Sequence, residues 1–197
     1  MVGVVRTPIS ADARLPTRRT LDERVFIRWP GAYGALARVG NRLPRRSRLR
    51  RAGLRRAALS GWAAWARGDL DLMLVRYAPD CNVEAYRALI AAGMASSYEG
   101  HRGLRDLFAD LREAWEGMEL IPQEVVDAGN PVVILGHVQL RARGSGIEFD
   151  SEVGSVVWAE RGLVTRESDF GSWDEALRAA GIPTEAVSSG RRVTTAP

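Results

Sequence analysis

Apolar positions recur at helical spacing through much of the first half of the chain and alternate through most of the second. From Ser47, an N-cap residue type, a long helix is predicted to about Arg67, with Leu54, Ala58, Trp62 and Trp65 on one face. Gly68 ends it. Asp69 caps a second short helix, with Leu70, Met73, Val75 and Tyr77 apolar, which stops at Pro79. Residues 81–87 predict a short strand, and 88–97 stay open between loop and helical turn. Residues 101–116 carry the clearest helical pattern, through Leu104, Leu107, Phe108, Leu111 and Trp115. The period then becomes two, which predicts strands over 119–127, 131–143, 147–159 and 163–170. Their turns are Ala128-Gly129-Asn130, Gly144-Ser145-Gly146 and Arg161-Gly162. A capping box at Ser172–Glu175 opens a last helix that stops at Gly181 and Pro183.

The two ends lack this patterning. Residues 1–23 show no periodicity and predict a disordered tail. Residues 24–43 are mildly amphipathic but interrupted by Pro30 and Gly31, so only a short helix over about 32–43 is expected. The chain therefore divides into a basic N-terminal extension (1–46), largely disordered or a short helix, a folded body (47–181) and a flexible C-terminal tail (182–197). The extension up to about residue 45 is expected to be dispensable for folding. Helices followed by an antiparallel meander make an α+β plan. A meander this long curls, and helices close its concave face around a pocket.

Composition narrows the classes. With 46% hydrophobic and 26% charged residues, the chain is globular rather than disordered or fibrous. No apolar run approaches the roughly 20 residues of a membrane span, and Met1–Ser10 lack a secretory signal, so a cytoplasmic location is expected. Cys81 is the only cysteine, and His101 and His137 are the only histidines, so neither a disulfide nor a thiolate or histidine-rich metal site is expected. No cofactor is implied. The net charge of +4 hides an asymmetry: residues 1–56 hold 15 Arg against Asp12, Asp22 and Glu23, whereas the remainder is net negative. The cluster Arg45-Arg46-Ser47-Arg48-Leu49-Arg50-Arg51 with Arg55 and Arg56 has the charge to hold nucleic acid or an anionic membrane. No aromatic platform accompanies it, and the favoured reading is that these arginines pair with the acidic body.

Turn lengths set a strand register. Taking Gly144-Ser145 as a two-residue loop pairs Gln139 with Asp150, His137 with Glu152 and Leu135 with Gly154. Arg141 then meets Glu148, a favourable cross-strand pair. Taking Arg161-Gly162 as the next loop pairs Trp158 with Thr165, Val156 with Glu167 and Gly154 with Asp169. One face then carries Leu135, His137, Gln139, Asp150, Glu152, Val156, Trp158, Glu167 and Asp169. The other, with Val132, Ile134, Val138, Leu140, Phe149 and Val153, is almost purely apolar. The mixed face is either a solvated sheet surface or the lining of a cavity, with Gly154 leaving room beside Asp169.

Several runs carry a resemblance. Trp65-Ala66-Arg67-Gly68-Asp69-Leu70-Asp71, Tyr77-Ala78-Pro79-Asp80-Cys81-Asn82-Val83-Glu84 and Tyr98-Glu99-Gly100-His101-Arg102-Gly103-Leu104-Arg105 stand in the order and spacing of the nuclear transport factor 2-like superfamily. Trp158-Ala159-Glu160-Arg161-Gly162-Leu163-Val164 and Glu175-Ala176-Leu177 continue the likeness, which spans about Leu54 to Gly181. Within the superfamily the chain most resembles SnoaL-like domain proteins, named after a polyketide cyclase. The resemblance implies a cone-shaped fold, a curved antiparallel sheet closed by helices around a pocket. It implies that Leu135, His137, Gln139, Val156, Trp158, Glu167 and Asp169 line the pocket and that Trp65 and Tyr77 look inward. It also implies that the apolar face is convex, and a homodimer through that face is expected. The general base of ketosteroid isomerases falls on Ala85 and their two donors on Gly61 and Gly154, so that chemistry is not expected. The acid/base Asp of SnoaL cyclases falls on Asp169.

The candidate catalytic residues are therefore Asp169, a carboxyl in a semi-apolar pocket, His137 with Glu152 beside it, and Glu167. Their plain alternatives are an edge-of-sheet acid, a cross-strand ion pair and a solvated strand residue. Trp65, Tyr77, Leu135, Gln139, Glu152, Val156 and Trp158 are the candidate ligand contacts. Cys81 reads as a small buried residue. Two function classes follow: a cofactor-independent acid/base enzyme of cyclase, dehydratase or hydrolase type acting on a small, largely apolar molecule, or a non-catalytic ligand-binding or dimerisation domain with a basic arm.

Overall fold

The chain order of elements in the computed structural model is β1 (Val5–Pro8), α1 (Leu21–Arg28), α2 (Pro30–Arg42), α3 (Arg48–Ala66), α4 (Leu70–Arg76), β2 (Tyr77–Glu84), α5 (Arg87–Ala91) and β3 (Ser97–Glu99). It continues through α6 (Gly100–Ala114), β4 (Trp115–Asp127), β5 (Val132–Ala142), β6 (Glu148–Glu160), β7 (Leu163–Phe170) and α7 (Trp173–Ala179). The structure describes residues 3–10, 13–91 and 93–183, and the expected C-terminal tail lies outside them beyond Pro183. Local signals placed the caps well. Ser47 is the N-cap of α3, Asp69 accepts from the Leu72 N–H to cap α4, and Ser172 accepts from the Glu175 N–H to cap α7.

The seven strands form one sheet in the order β1-β4-β5-β6-β7-β2-β3, antiparallel except for the parallel pair β2 and β7. The β5–β6 register is the expected one, with His137 opposite Glu152 and Leu135 opposite Gly154. The β6–β7 turn also begins as expected, with Glu160 opposite Leu163 and left-handed backbone at Arg161 and Gly162, which suits a tight two-residue hairpin. One step later the register shifts. Ala159 faces Val164 but Trp158 faces Arg166, so Thr165 is the extra residue of a bulge. Beyond it Val157 faces Glu167 and Ser155 faces Asp169, not Val156 and Gly154 as the turn length implied.

That shift corrects the assignment of faces. The strongly apolar face is the interior. Ile134, Val138, Leu140 and Val153 pack with Trp62 and Ala58 of α3 and with Ile9. The face needs no second subunit to cover it, and the argument it offered for a dimer falls. The mixed face is the outer one. Leu135, Val133 and Val156 are buried there under Ala176 and Leu177 of α7. Gly154 makes room for α7 rather than for Asp169, since a Cβ at this position would lie 2.4 Å from the Ala176 methyl. The short α7 covers only one end of this face, and the ionisable end stays wet.

The N-terminal extension is part of the fold, which corrects its reading as a largely disordered arm. β1 pairs with β4 at the sheet edge, and Ile9 beyond it is buried. α1 starts at a capping box formed by Thr20 and Glu23. Glu23 is wholly buried and held by the Ser60 hydroxyl at 2.7 Å and by Arg67 at 3.0 Å. Arg19 bridges Asp69 and Asp71, and Arg56 pairs with Asp22. Arg50 is the deepest tie. It makes a buried pair with Asp127 at 2.6 Å and donates to the Asn41 carbonyl near the end of α2. Much of what holds this segment is charge pairing between distant residues, which apolar periodicity does not report. Among the described residues, no helix is long and apolar enough to cross a membrane.

Arg50→Ala leaves the Asp127 carboxylate buried without its counter-charge and should cost roughly 3–5 kcal/mol, read as a lower urea midpoint. Deleting residues 1–28 strips Arg67 and Asp69 of Glu23 and Arg19 and uncovers the core around Ile9. The midpoint of the remainder should fall, and an unchanged midpoint would restore the dispensable arm.

Candidate functional site

Two adjoining cavities lie between the concave face of the sheet and the helices. The inner one, about 70 Å³, is walled by Trp62, Trp65, Ala85, Leu107, Val138 and Val153, with Tyr86, Ser155, Glu167 and Asp169 among its lining. The outer one, about 400 Å³, lies under α1, α2 and α3 and is lined by Tyr33, Leu36, Trp62, Arg76 and Tyr77. Glu167, Trp62 and Trp65 border both. The bulge at Thr165 creates this arrangement. It turns Arg166 outward, onto the Trp158 ring at 4.8 Å and toward Glu84 at 2.9 Å, and turns Glu167 and Asp169 inward.

Glu167 and Asp169 stand two residues apart on one strand, so their Cα atoms are about 6.6 Å apart and both side chains face the same way. Burial, reinforced by the negative charge of Asp169, holds Glu167 well above the usual carboxylate range, while the positive charge of Arg76 acts against this. The Tyr77 hydroxyl donates to Glu167. Burial pushes Asp169 up to about 6, and the Ser155 hydroxyl across the strand draws it partway back. One oxygen of Asp169, Oδ1, is sealed from solvent with no hydrogen-bond partner. Two nearby acids in an apolar enclosure resist ionising together. Two carboxyls raised in this way on one cavity wall are suited to move a proton on a bound molecule.

Of the residues singled out from sequence, the structure brings Asp169, Glu167, Trp65 and Tyr77 together. Trp65 also stacks on Phe108 with ring centres 4.8 Å apart. The others lie on the opposite face. His137 sits edge-on to Trp173 at 5.9 Å, with its Nδ1 3.9 Å from Asp150. Gln139 donates to Asp150 at the exposed end of the sheet. Glu152 accepts the Trp173 N–H at 3.3 Å. Leu135 and Val156 are buried beneath α7, and Trp158 lies under Arg166. Of the three candidate catalytic residues, Glu167 and Asp169 therefore share the cavity wall, while His137 lies on the outer face. Cys81 is fully buried, and burial pushes its thiol up to about 11, far from a reactive thiolate.

Sequence reasoning missed Ser155 and Arg76. Strict alternation put Gly154 opposite Asp169, and only the bulge moves Ser155 there. Arg76 could have been noticed as a charged residue closing an apolar helix, directly before the inward Tyr77. The positions that resemblance gave to isomerase chemistry are also clear. Ala85 lines the inner cavity, Gly61 borders the outer one, and Gly154 faces away from both.

Comparison with known proteins bears on the family and the fold. The model of the SnoaL-like domain matches residues 60–167, more than half of the chain. Among solved structures, TerC co-crystallised with polyporic acid is 22% identical, with a TM-score of 0.53 over 59% of this chain and 89% of its own. A nuclear transport factor 2-like protein of unknown function from Burkholderia pseudomallei K96243 is 23% identical, with a TM-score of 0.51 over 59% of this chain and 88% of its own. A hypothetical protein from Catenulispora acidiphila with a ketosteroid isomerase-like fold, in complex with trimethylamine, is 17% identical, with a TM-score of 0.50 over 65% of this chain and 95% of its own. No curated protein matches. At these identities the structures speak for the fold alone. The cone of curved sheet and helices, the order of its motifs and the family match place this chain in the SnoaL-like domain family, with a nuclear transport factor 2-like fold extended at its N-terminus.

Proposed function

We propose that this domain binds a small, largely apolar molecule in the cone and transfers a proton on it through Asp169 and Glu167, without a cofactor. The observation that carries the reading is the acid pair on the cavity wall, with Oδ1 of Asp169 buried and lacking a partner. A folded chain gains nothing from an unpaired carboxylate oxygen in an apolar enclosure, so its retention speaks for a ligand or a reaction. Asp169 is the general base and Glu167 the general acid, held by Tyr77. The reaction class is a cyclisation, dehydration or hydrolysis. TerC, of the same fold, holds polyporic acid, which is in keeping with a small organic ligand here. The second reading, ligand binding without chemistry, is favoured by the small space around Asp169, about 70 Å³, which admits only the tip of a ligand.

Native mass spectrometry of the purified protein should reveal a co-purified small molecule that is lost on denaturation. With that molecule as substrate, Asp169→Asn should lower kcat by about 10²-fold or more with KM little changed, the scale of one general acid–base residue. His137→Ala, on the outer face, should leave both unchanged. Turnover that survives Asp169→Asn would remove Asp169 from the chemistry, and a bound molecule that the natural protein leaves unchanged would leave only the binding reading.

The raised pKa also predicts a stability effect. Because Asp169 binds its proton more tightly when folded, its ionisation opposes folding as pH rises from about 4 through about 6. Asp169→Asn should therefore raise Tm at pH 7.5, and its advantage over the natural protein should shrink as pH falls toward 4. A variant less stable at pH 7.5 would show that the carboxylate is well paired.

A further inference from the structure

Gly61 sits inside α3, where glycine costs about 1 kcal/mol relative to alanine. Its reason is packing. A Cβ at position 61 would lie 2.8 Å from Nη2 of Arg76. Arg76 is only 7% exposed, and its guanidinium occupies the space Gly61 leaves at the wall of the outer cavity. Nη2 donates to the Ala57 carbonyl at 2.8 Å, and the guanidinium carbon lies 5.2 Å from the centre of the Tyr33 ring. Nε is sealed from solvent with no acceptor. The other two deeply placed arginines are matched by carboxylates: Arg50 by Asp127, and Arg67 by Glu23 and Asp69. Among the described residues Arg76 has no such ion pair, and the Glu167 carboxyl that shares its cavity is engaged by Tyr77. A buried guanidinium with an idle Nε and no counter-charge among the described residues is costly, and its flat fork fits a carboxylate better than it fits water.

We propose that Arg76 is an anion anchor: it holds the carboxylate of an amphipathic ligand whose apolar body lies along Trp62 and Trp65 in the outer cavity. The volume, about 400 Å³, lies in the range of small-molecule sites. Much of the lining is apolar, with Leu36, Leu54 and Val164, and the other arginines that border the cavity, Arg50 and Arg56, are already paired with Asp127 and Asp22, which suits a monoanion with one charged end rather than a polyanion. The anchor would present the other end of the ligand toward the inner cavity and Asp169. This assignment names the ligand class for the binding reading above and rests on it.

The test is a titration of the full chain with 2-naphthoate and with its neutral counterpart 2-naphthalenemethanol, read by calorimetry and by quenching of tryptophan fluorescence. The carboxylate should bind about ten- to a hundredfold more tightly, the scale of hydrogen bonds to a charged group. Arg76→Gln should abolish that preference while leaving the neutral probe unchanged, and Arg76→Lys should keep part of it. Gly61→Ala, which keeps the charge but displaces the guanidinium, should weaken the carboxylate selectively, and it decides the matter should Arg76→Gln fail to fold. Equal affinity for the two probes, or a preference that survives in Arg76→Gln, overturns the anchor and leaves the cavity as a binding site. Binding of neither probe overturns both.

Discussion

Thr165 is one residue too many for the ladder between β6 and β7, and the site depends on how the chain absorbs it. Without the bulge, strict alternation from the Arg161-Gly162 turn would send Arg166 into the apolar interior and Glu167 and Asp169 to the outer face. With it, Val164 remains inside, Arg166 moves out onto Trp158 and Glu84, and both acids enter the cavities. The cost is local: a kink and a lost ladder position. The gain is a buried acid pair on a strand whose neighbours hold it rigidly on both sides, β6 antiparallel and β2 parallel. A site built on strands holds its geometry better than one built on loops.

Arginine placement is the second organising theme. The chain uses arginine as its sole long cation, and the structure spends these residues in different ways. Arg50 and Arg67 are sunk into the body with acids from distant segments, and Arg19 and Arg56 clamp α1 and its approach to α3 and α4. Buried pairs of this kind add little against an apolar alternative, but they punish the loss of either partner, so they enforce one arrangement of the extension. That arrangement roofs the outer cavity. The family match begins only at residue 60, so most of this roof lies outside the shared domain. Arg76 stands apart because, among the described residues, no carboxylate pairs with it although it is buried.

The acid pair works against stability. Desolvation raises both carboxyls, and the charge of Asp169 further opposes the ionisation of Glu167. Ser155 and Tyr77 offset part of this and leave Oδ1 of Asp169 unmet. Elsewhere the protein satisfies its buried acids fully, as Glu23 and Asp127 show. The contrast marks the cavity wall as the place where folding accepted a penalty, which is the usual mark of a working site.

The sequence by itself determined most of the body's elements, the α+β plan and the likeness to a cone-shaped family, because caps, periodicity and turn residues are local signals. Ser47, Asp69 and Ser172 cap the helices they were expected to cap. It also pointed to Asp169, Glu167, Trp65 and Tyr77. Tertiary structure alone decided which face of the sheet is the interior. Register is counted from a turn, and a single bulged residue, invisible to a period-two pattern, reverses every position beyond it. The bulge carries Glu167 and Asp169 away from the face of His137, Gln139, Glu152 and Trp158 and sets Asp169 opposite Ser155. Structure alone also decided the fate of residues 5–10 and 13–42. Their order comes largely from ion pairs with residues far along the chain, such as Arg19 with Asp69 and Glu23 with Arg67, and no local pattern encodes which distant charge will be met.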